Sequence, residues 1–111
     1  MHSTTDEHWI ENLNWPEIER RIAAGALGIL PVGAACKEHG RHLPMNTDFR
    51  QASWLASQTA TQINALVWPV LGYGYYPSFI DYPGSVSVPD EIFAETARAV
   101  IAGMAFSGVK R

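Results

Sequence analysis

The chain has 111 residues, the length of one domain and enough for a single hydrophobic core. Hydrophobic residues make up 47% and charged residues 17%, which excludes a disordered segment. A net charge of −3, with no basic run interleaved with aromatics, excludes nucleic acid as a partner, and no apolar run nears the roughly 20 residues that span a bilayer.

Residues 1–13 read as a loose arm with Trp9, Ile10 and Leu13 as its only apolar attachments. Its opening, MHSTTDEHW, is polar and acidic, unlike a secretory signal. Asn14 is placed to cap a helix whose first turn holds Pro16, where a missing N–H costs nothing. Ile18 and Ile22 share one face of that helix, and Gly25 is its expected stop. Ala26–Val32 is short and nearly all apolar, as in a buried strand of a parallel sheet. A long helical pattern begins at Thr47 or Asp48 and runs to about Leu66, with Phe49, Ala52, Leu55, Ala56, Thr59 and Ile63 at helical spacing. Val67–Leu71 reads as a second strand, weakened by Pro69. Gly72–Pro83 is a loop rich in tyrosine, and the alternating Gly84–Val88 predicts a brief strand. Pro89, Asp90 and Glu91 open a last helix that Gly108 ends, and 109–111 read as the first step into another strand. The order helix, strand, helix, strand, helix predicts an α/β fold with a parallel sheet. Cys36 stands alone, so no disulfide framework exists and a reducing, cytoplasmic compartment is expected.

The chemistry is concentrated in Leu30–Asp48. An apolar strand runs into Gly33, and the loop after it holds Glu38, His39, His42, Asn46 and Asp48 within eleven residues. Hydrolysing an amide needs an activated water and a brace for the developing oxyanion. A divalent metal supplies both, and imidazole and carboxylate suit zinc or manganese. Each residue also has an ordinary reading: Asp48 as a helix cap, His39 as a hydrogen-bonded structural histidine. Their clustering with Glu38, His42 and the glycines brings the metal reading level with the ordinary one.

The stretch resembles the N-terminal signature of the creatininase (creatinine amidohydrolase) family, usually LPxGSxEQHGPHLPxxTD. Here it stands as LPVGAACKEHGRHLPMNTD. The resemblance extends through the following helix, Val67-Trp68-Pro69-Val70, Tyr73-Gly74 and Tyr82–Ser87, and covers roughly residues 14–111. It implies a three-layer α/β/α fold with a mainly parallel sheet, a two-metal centre, and hydrolysis of a C–N bond in a cyclic or linear amide. The family's ligand histidine falls on His39 and its bridging aspartate on Asp48. Its ligand glutamate falls on Lys37, which as an ammonium cannot ligate. Either Glu38 substitutes after a shift of the loop, or the site holds one metal and Lys37 replaces the charge of the other. The family continues into a strand with an Asn-Gly-His-Gly-Gly-Asn motif and further ligands, so this chain is expected to be the front half of such an enzyme.

The resulting assignment gives His39 and Asp48 to a zinc or manganese ion and Glu38 and His42 to catalysis. Lys37 and Asn46 become charge-balancing or supporting groups, and Arg41, Tyr73 and Tyr75 line the substrate pocket. The expected partners are a small-molecule amide and either further copies of the chain or a chain supplying the missing half. The competing reading is a non-catalytic binding or assembly module of the same fold, and the Lys37 replacement and the absent second ligand set are the features that distinguish it.

Overall fold

A computed structural model of the protein describes residues 6–111. His2 and the rest of residues 1–5 lie outside the described residues. Helix α1 (Trp15–Ala23) starts at Asn14, whose side-chain Oδ1 accepts the Glu17 N–H at 3.1 Å. Strand β1 (Leu27–Ile29) follows, then helix α2 (Thr47–Ala60), strand β2 (Ala65–Val67) and helix α3 (Asp90–Phe106). The two strands are parallel, with Leu27 opposite Ala65, Gly28 opposite Leu66 and Ile29 opposite Val67.

Alternation along the strands sorts the two faces of this small sheet. Ala65 and Val67 pack with Ala56 and Ala60 of α2 and with Trp9, and Leu27 and Ile29 lie against the same cluster. The opposite face receives the end of α3. A Cβ on Gly28 would sit 2.8 Å from Met104 Cε and 2.9 Å from Val109 Cγ1, so the glycine makes room for that helix. Helices thus cover both faces, an α/β arrangement. The Leu27 N–H turns towards Asn64 of the neighbouring segment, so that of Gly28 points away from β2, where the Arg111 carbonyl accepts it at 2.9 Å. The step of 109–111 alongside β1 is therefore seen as a single backbone hydrogen bond.

Several elements differ from the sequence expectation. The first 13 residues are not a loose arm where they are described. Two 3-10 turns, Asp6–His8 and Ile10–Asn12, flank Trp9, which is 1% exposed, bridges to Val67 and donates its indole N–H to Ser57 Oγ at 3.0 Å. His8 is also engaged: Arg21 Nη2 approaches its Nδ1 at 3.2 Å and donates to the Ala65 carbonyl at 3.0 Å, tying α1 to the start of β2. Helix α2 ends at Ala60, not near Leu66. Residues 65–67 are wholly buried, and strand pairing with β1 satisfies their backbone, which outweighs a helical spacing that Ile63, half exposed in the turn, had prolonged. Strand β1 is shorter than 26–32, because Pro31 interrupts the ladder before it resumes as a bridge between Val32 and Leu71. Residues 84–88 form no strand. Along α3, Met104 is buried while Phe106 is 94% exposed.

Replacing Trp9 with alanine is expected to cost about 3–5 kcal/mol, the usual loss for a large buried aromatic. Trp15→Ala, at a position 71% exposed, is expected to change stability by no more than about 0.5 kcal/mol. Urea denaturation of the two variants checks both.

Candidate functional site

The site lies beyond the carboxyl ends of the two parallel strands, where open α/β sheets place their ligands. Backbone pairing persists there despite both prolines. The Leu71 N–H donates to the Pro31 carbonyl at 2.9 Å, the Gly33 N–H to Leu71 at 3.2 Å, and the Ala35 N–H to Gly72 at 2.8 Å. The start of α2 is then drawn in, with the Phe49 N–H donating to the Ala34 carbonyl at 3.1 Å. Gly33 permits this approach, since a Cβ there would collide with the Asp48 carbonyl. Asp48 is not the cap of α2 but stands in its first turn, where the helix dipole favours a negative charge.

Between strand and helix the motif loop folds back on itself. The Lys37 N–H donates to the Met45 carbonyl at 3.0 Å, and Gly40 turns the chain at φ +82°, a conformation that side chains rarely tolerate. These constraints bring three side chains together. Asp48 Oδ1 lies 3.0 Å from His39 Nε2, and Asp48 Oδ2 lies 3.1 Å from Lys37 Nζ. The other imidazole nitrogen, Nδ1, faces the Lys37 carbonyl at 2.7 Å. The Lys37 ammonium also lies 4.9 Å from the centre of the Phe79 ring and 5.7 Å from that of Tyr76, within range of cation–π attraction.

Both nitrogens of His39 therefore face oxygen acceptors, an arrangement that suits the imidazolium. The hydrogen bond to the Lys37 carbonyl raises the His39 pKa most; burial opposes it, and Asp48 adds to the rise. For Asp48, burial pushes the carboxyl up. The hydrogen bonds and charges of Lys37 and His39 outweigh it and hold the group below the usual carboxylate range.

The segment 84–88 braces this loop against the tyrosine-rich one. Ser85 Oγ accepts the Glu38 N–H at 3.0 Å and the Val86 N–H donates to the Cys36 carbonyl at 3.1 Å. Ser87 Oγ accepts the Tyr76 N–H at 2.8 Å and the Val88 N–H donates to Gly74 at 2.8 Å. Beside the cluster opens a cavity of about 820 Å³ whose lining includes Lys37, Asp48, Gln51, Tyr73, Tyr75 and Tyr76.

Of the residues singled out in the sequence, Lys37, His39 and Asp48 are brought together. Glu38 is not part of the cluster: its carboxylate accepts the Gly40 N–H at 2.5 Å. Arg41 and His42 are exposed in the loop, and Asn46 begins α2 without a side-chain cap. Tyr73 and Tyr75 line the cavity, each about half exposed. Sequence reasoning missed Tyr76 and Phe79 as the rings over Lys37, and Ser85 and Ser87 as the brace. Both serines lie in a stretch that the motif resemblance already marked.

The donor set fits one divalent ion in part. With Nδ1–H donating to the Lys37 carbonyl, a neutral His39 presents its Nε2 lone pair beside an Asp48 oxygen. It does not fit a second ion on this loop, because the ammonium of Lys37 stands at the other oxygen. Among the described residues no group of three histidine, cysteine, aspartate or glutamate side chains gathers to hold a metal.

Two outcomes are expected. Gly33→Ala should lower stability by about 1–3 kcal/mol, the cost of forcing strand and helix apart, measured by urea denaturation. In metal-free protein the Asp48 contribution is complete above its unfolded pKa and is lost as pH falls through the depressed folded value. The His39 contribution is complete below its unfolded pKa and is lost as pH rises through the raised one. The melting-temperature difference between the unaltered protein and Asp48→Asn should therefore be greatest between about pH 4 and 6.5.

The family profile of Creatininase, described as creatinine amidohydrolase, matches residues 11–111. A creatinine amidohydrolase of Pseudomonas putida is 34% identical over 109 residues, 93% of this chain and 42% of that protein. A 3-dehydro-scyllo-inosose hydrolase of Thermotoga maritima is 31% identical over 104 residues, 93% of this chain and 33% of that protein. A solved creatininase described as the manganese form superposes with a TM-score of 0.87 at 33% identity, over 94% of this chain and 42% of that one. A mutant creatininase of the two-zinc type does so with a TM-score of 0.87 at 31% identity, over 99% and 43%. The chain thus spans a third to two-fifths of the length of the curated relatives it matches. No helix among the described residues is long and apolar enough to cross a membrane. With a family profile matched over nearly its whole length and the motif cluster at the strand ends, the chain belongs to the creatininase family.

Proposed function

We propose that this chain serves as a metal-dependent amidohydrolase that hydrolyses a C–N bond in a cyclic or linear amide. The observation that carries the reading is the convergence of His39 Nε2 and Asp48 Oδ1 at 3.0 Å beside a cavity of about 820 Å³. Zinc or manganese is the ion those donors suit, and relatives solved in manganese and two-zinc forms support the choice. When bound, a divalent ion acidifies a water molecule and polarises the amide carbonyl.

The chain's own residues do the rest. The Lys37 carbonyl holds the imidazole in the tautomer that leaves Nε2 free, and Asp48 supplies the negative charge. Tyr73 and Tyr75 offer ring faces and hydroxyls to a small polar amide in the cavity. Glu38, occupied with Gly40, is assigned a loop-closing role; the exposed His42 is the remaining candidate for carrying a proton to the leaving amine. A cytoplasmic location is supported by the single cysteine. Partnership with further copies, or with a chain completing the fold, is supported by Ile92, Ile101 and Phe106 exposed on α3. The second reading, a non-catalytic module, is favoured by one observation, the Lys37 ammonium on Asp48.

Assaying the purified protein on a panel of cyclic and linear amides, with zinc or manganese added, separates the two. The enzyme reading expects metal-dependent turnover that His39→Ala and Asp48→Asn each reduce by more than about 10-fold, since loss even of a group that only orients a ligand costs roughly 10- to 100-fold. No turnover from folded, metal-supplied protein would favour the module.

A further inference from the structure

We propose that the Lys37 ammonium is a built-in cation that takes the place of a second metal ion, so that the His39–Asp48 site holds a single ion. This deepens the reading above and rests on His39 and Asp48 as the ligands of that ion. The two oxygens of Asp48 are already divided, one at 3.0 Å from His39 Nε2 and the other at 3.1 Å from Lys37 Nζ. A carboxylate can face a cation at each oxygen, and here the cation at one of the two is covalently part of the chain. A further divalent ion at that oxygen would be repelled by the ammonium and would find no carboxylate on residue 37 to hold it.

The ammonium is held in place. Its side chain is largely buried, and the rings of Tyr76 and Phe79 lie 5.7 and 4.9 Å from the charge. Its backbone N–H is bound to Met45 and its carbonyl to His39 Nδ1. One residue therefore serves both halves of the site, orienting the ligand imidazole through its carbonyl and neutralising the carboxylate through its amine. Sliding the loop by one residue to bring Glu38 onto Asp48 would break the Lys37–Met45 and Glu38–Ser85 hydrogen bonds and free Gly40 from the Glu38 carboxylate.

The test is zinc titration by calorimetry, with native mass spectrometry for stoichiometry, on the unaltered protein, Lys37→Glu, Lys37→Met and His39→Ala. The proposal expects no more than one zinc per unaltered chain. It expects Lys37→Glu to bind a further zinc, or to bind zinc at least tenfold more tightly. It also expects Lys37→Met to melt lower and to be stabilised by zinc more than the unaltered protein is. Two zinc ions in the unaltered chain, or Lys37→Glu and Lys37→Met responding to zinc no differently from it, would overturn the proposal. Should Lys37→Glu fail to fold, the zinc response of Lys37→Met decides. If the unaltered chain and His39→Ala alike take up no zinc while Lys37→Glu does, the role of Lys37 stands and the metal assignment of the preceding section falls. One His39-dependent zinc with no effect of either Lys37 change has the opposite meaning.

Discussion

Everything around the site depends on how closely the start of α2 approaches the strand that precedes the motif. Asp48 can meet Lys37 and His39 only because Gly33 lets the helix backbone touch the chain at the end of the ladder. The approach is closed by the Phe49 N–H on the Ala34 carbonyl, while the ladder continues past Pro31 and Pro69 to Ala35 and Gly72. A carboxylate in the first turn of a helix is already favoured by the dipole. Delivering it between two basic groups of one loop turns a local preference into a compact charged cluster. The strand pairing, the glycine and the helix start act together, and none of them would position the cluster alone.

The cluster places opposite demands on its members. Burial disfavours the Asp48 charge, yet two basic neighbours keep the carboxyl ionised. His39 is held between a carbonyl and a carboxylate, which favours its charged form in the absence of metal. Both ring nitrogens are thereby engaged, and the imidazole is fixed in orientation by the same two contacts that favour its charge.

Local signals were legible in the sequence where they act over a few residues. Asn14 capping α1 and Pro89 preceding α3 mark the helix starts, and the motif spacing named His39 and Asp48. What escaped were outcomes decided at long range. Trp9 looked like part of a loose arm because its burial depends on Ser57 and Val67, about fifty residues away. The end of α2 was misplaced because residues 61–64 keep a helical spacing, and only pairing with β1 reveals that Ala65 belongs to a strand. Lys37 was legible as a departure from the family pattern. Its contact with Asp48 and the rings of Tyr76 and Phe79 over it depend on a loop some forty residues further on.

The brace formed by Ser85 and Ser87 has a mechanical consequence. Neighbouring residues of one short segment grip two different loops: Ser85 and Val86 hold the motif loop at Glu38 and Cys36, and Ser87 and Val88 hold the tyrosine-rich loop at Tyr76 and Gly74. Neither loop can be displaced far without pulling on the other through four hydrogen bonds. The cavity wall at Gly74 and Tyr76 and the loop that carries His39 thus share one fastening. Four backbone N–H groups are thereby satisfied along one five-residue stretch, two at each loop or its border with the brace.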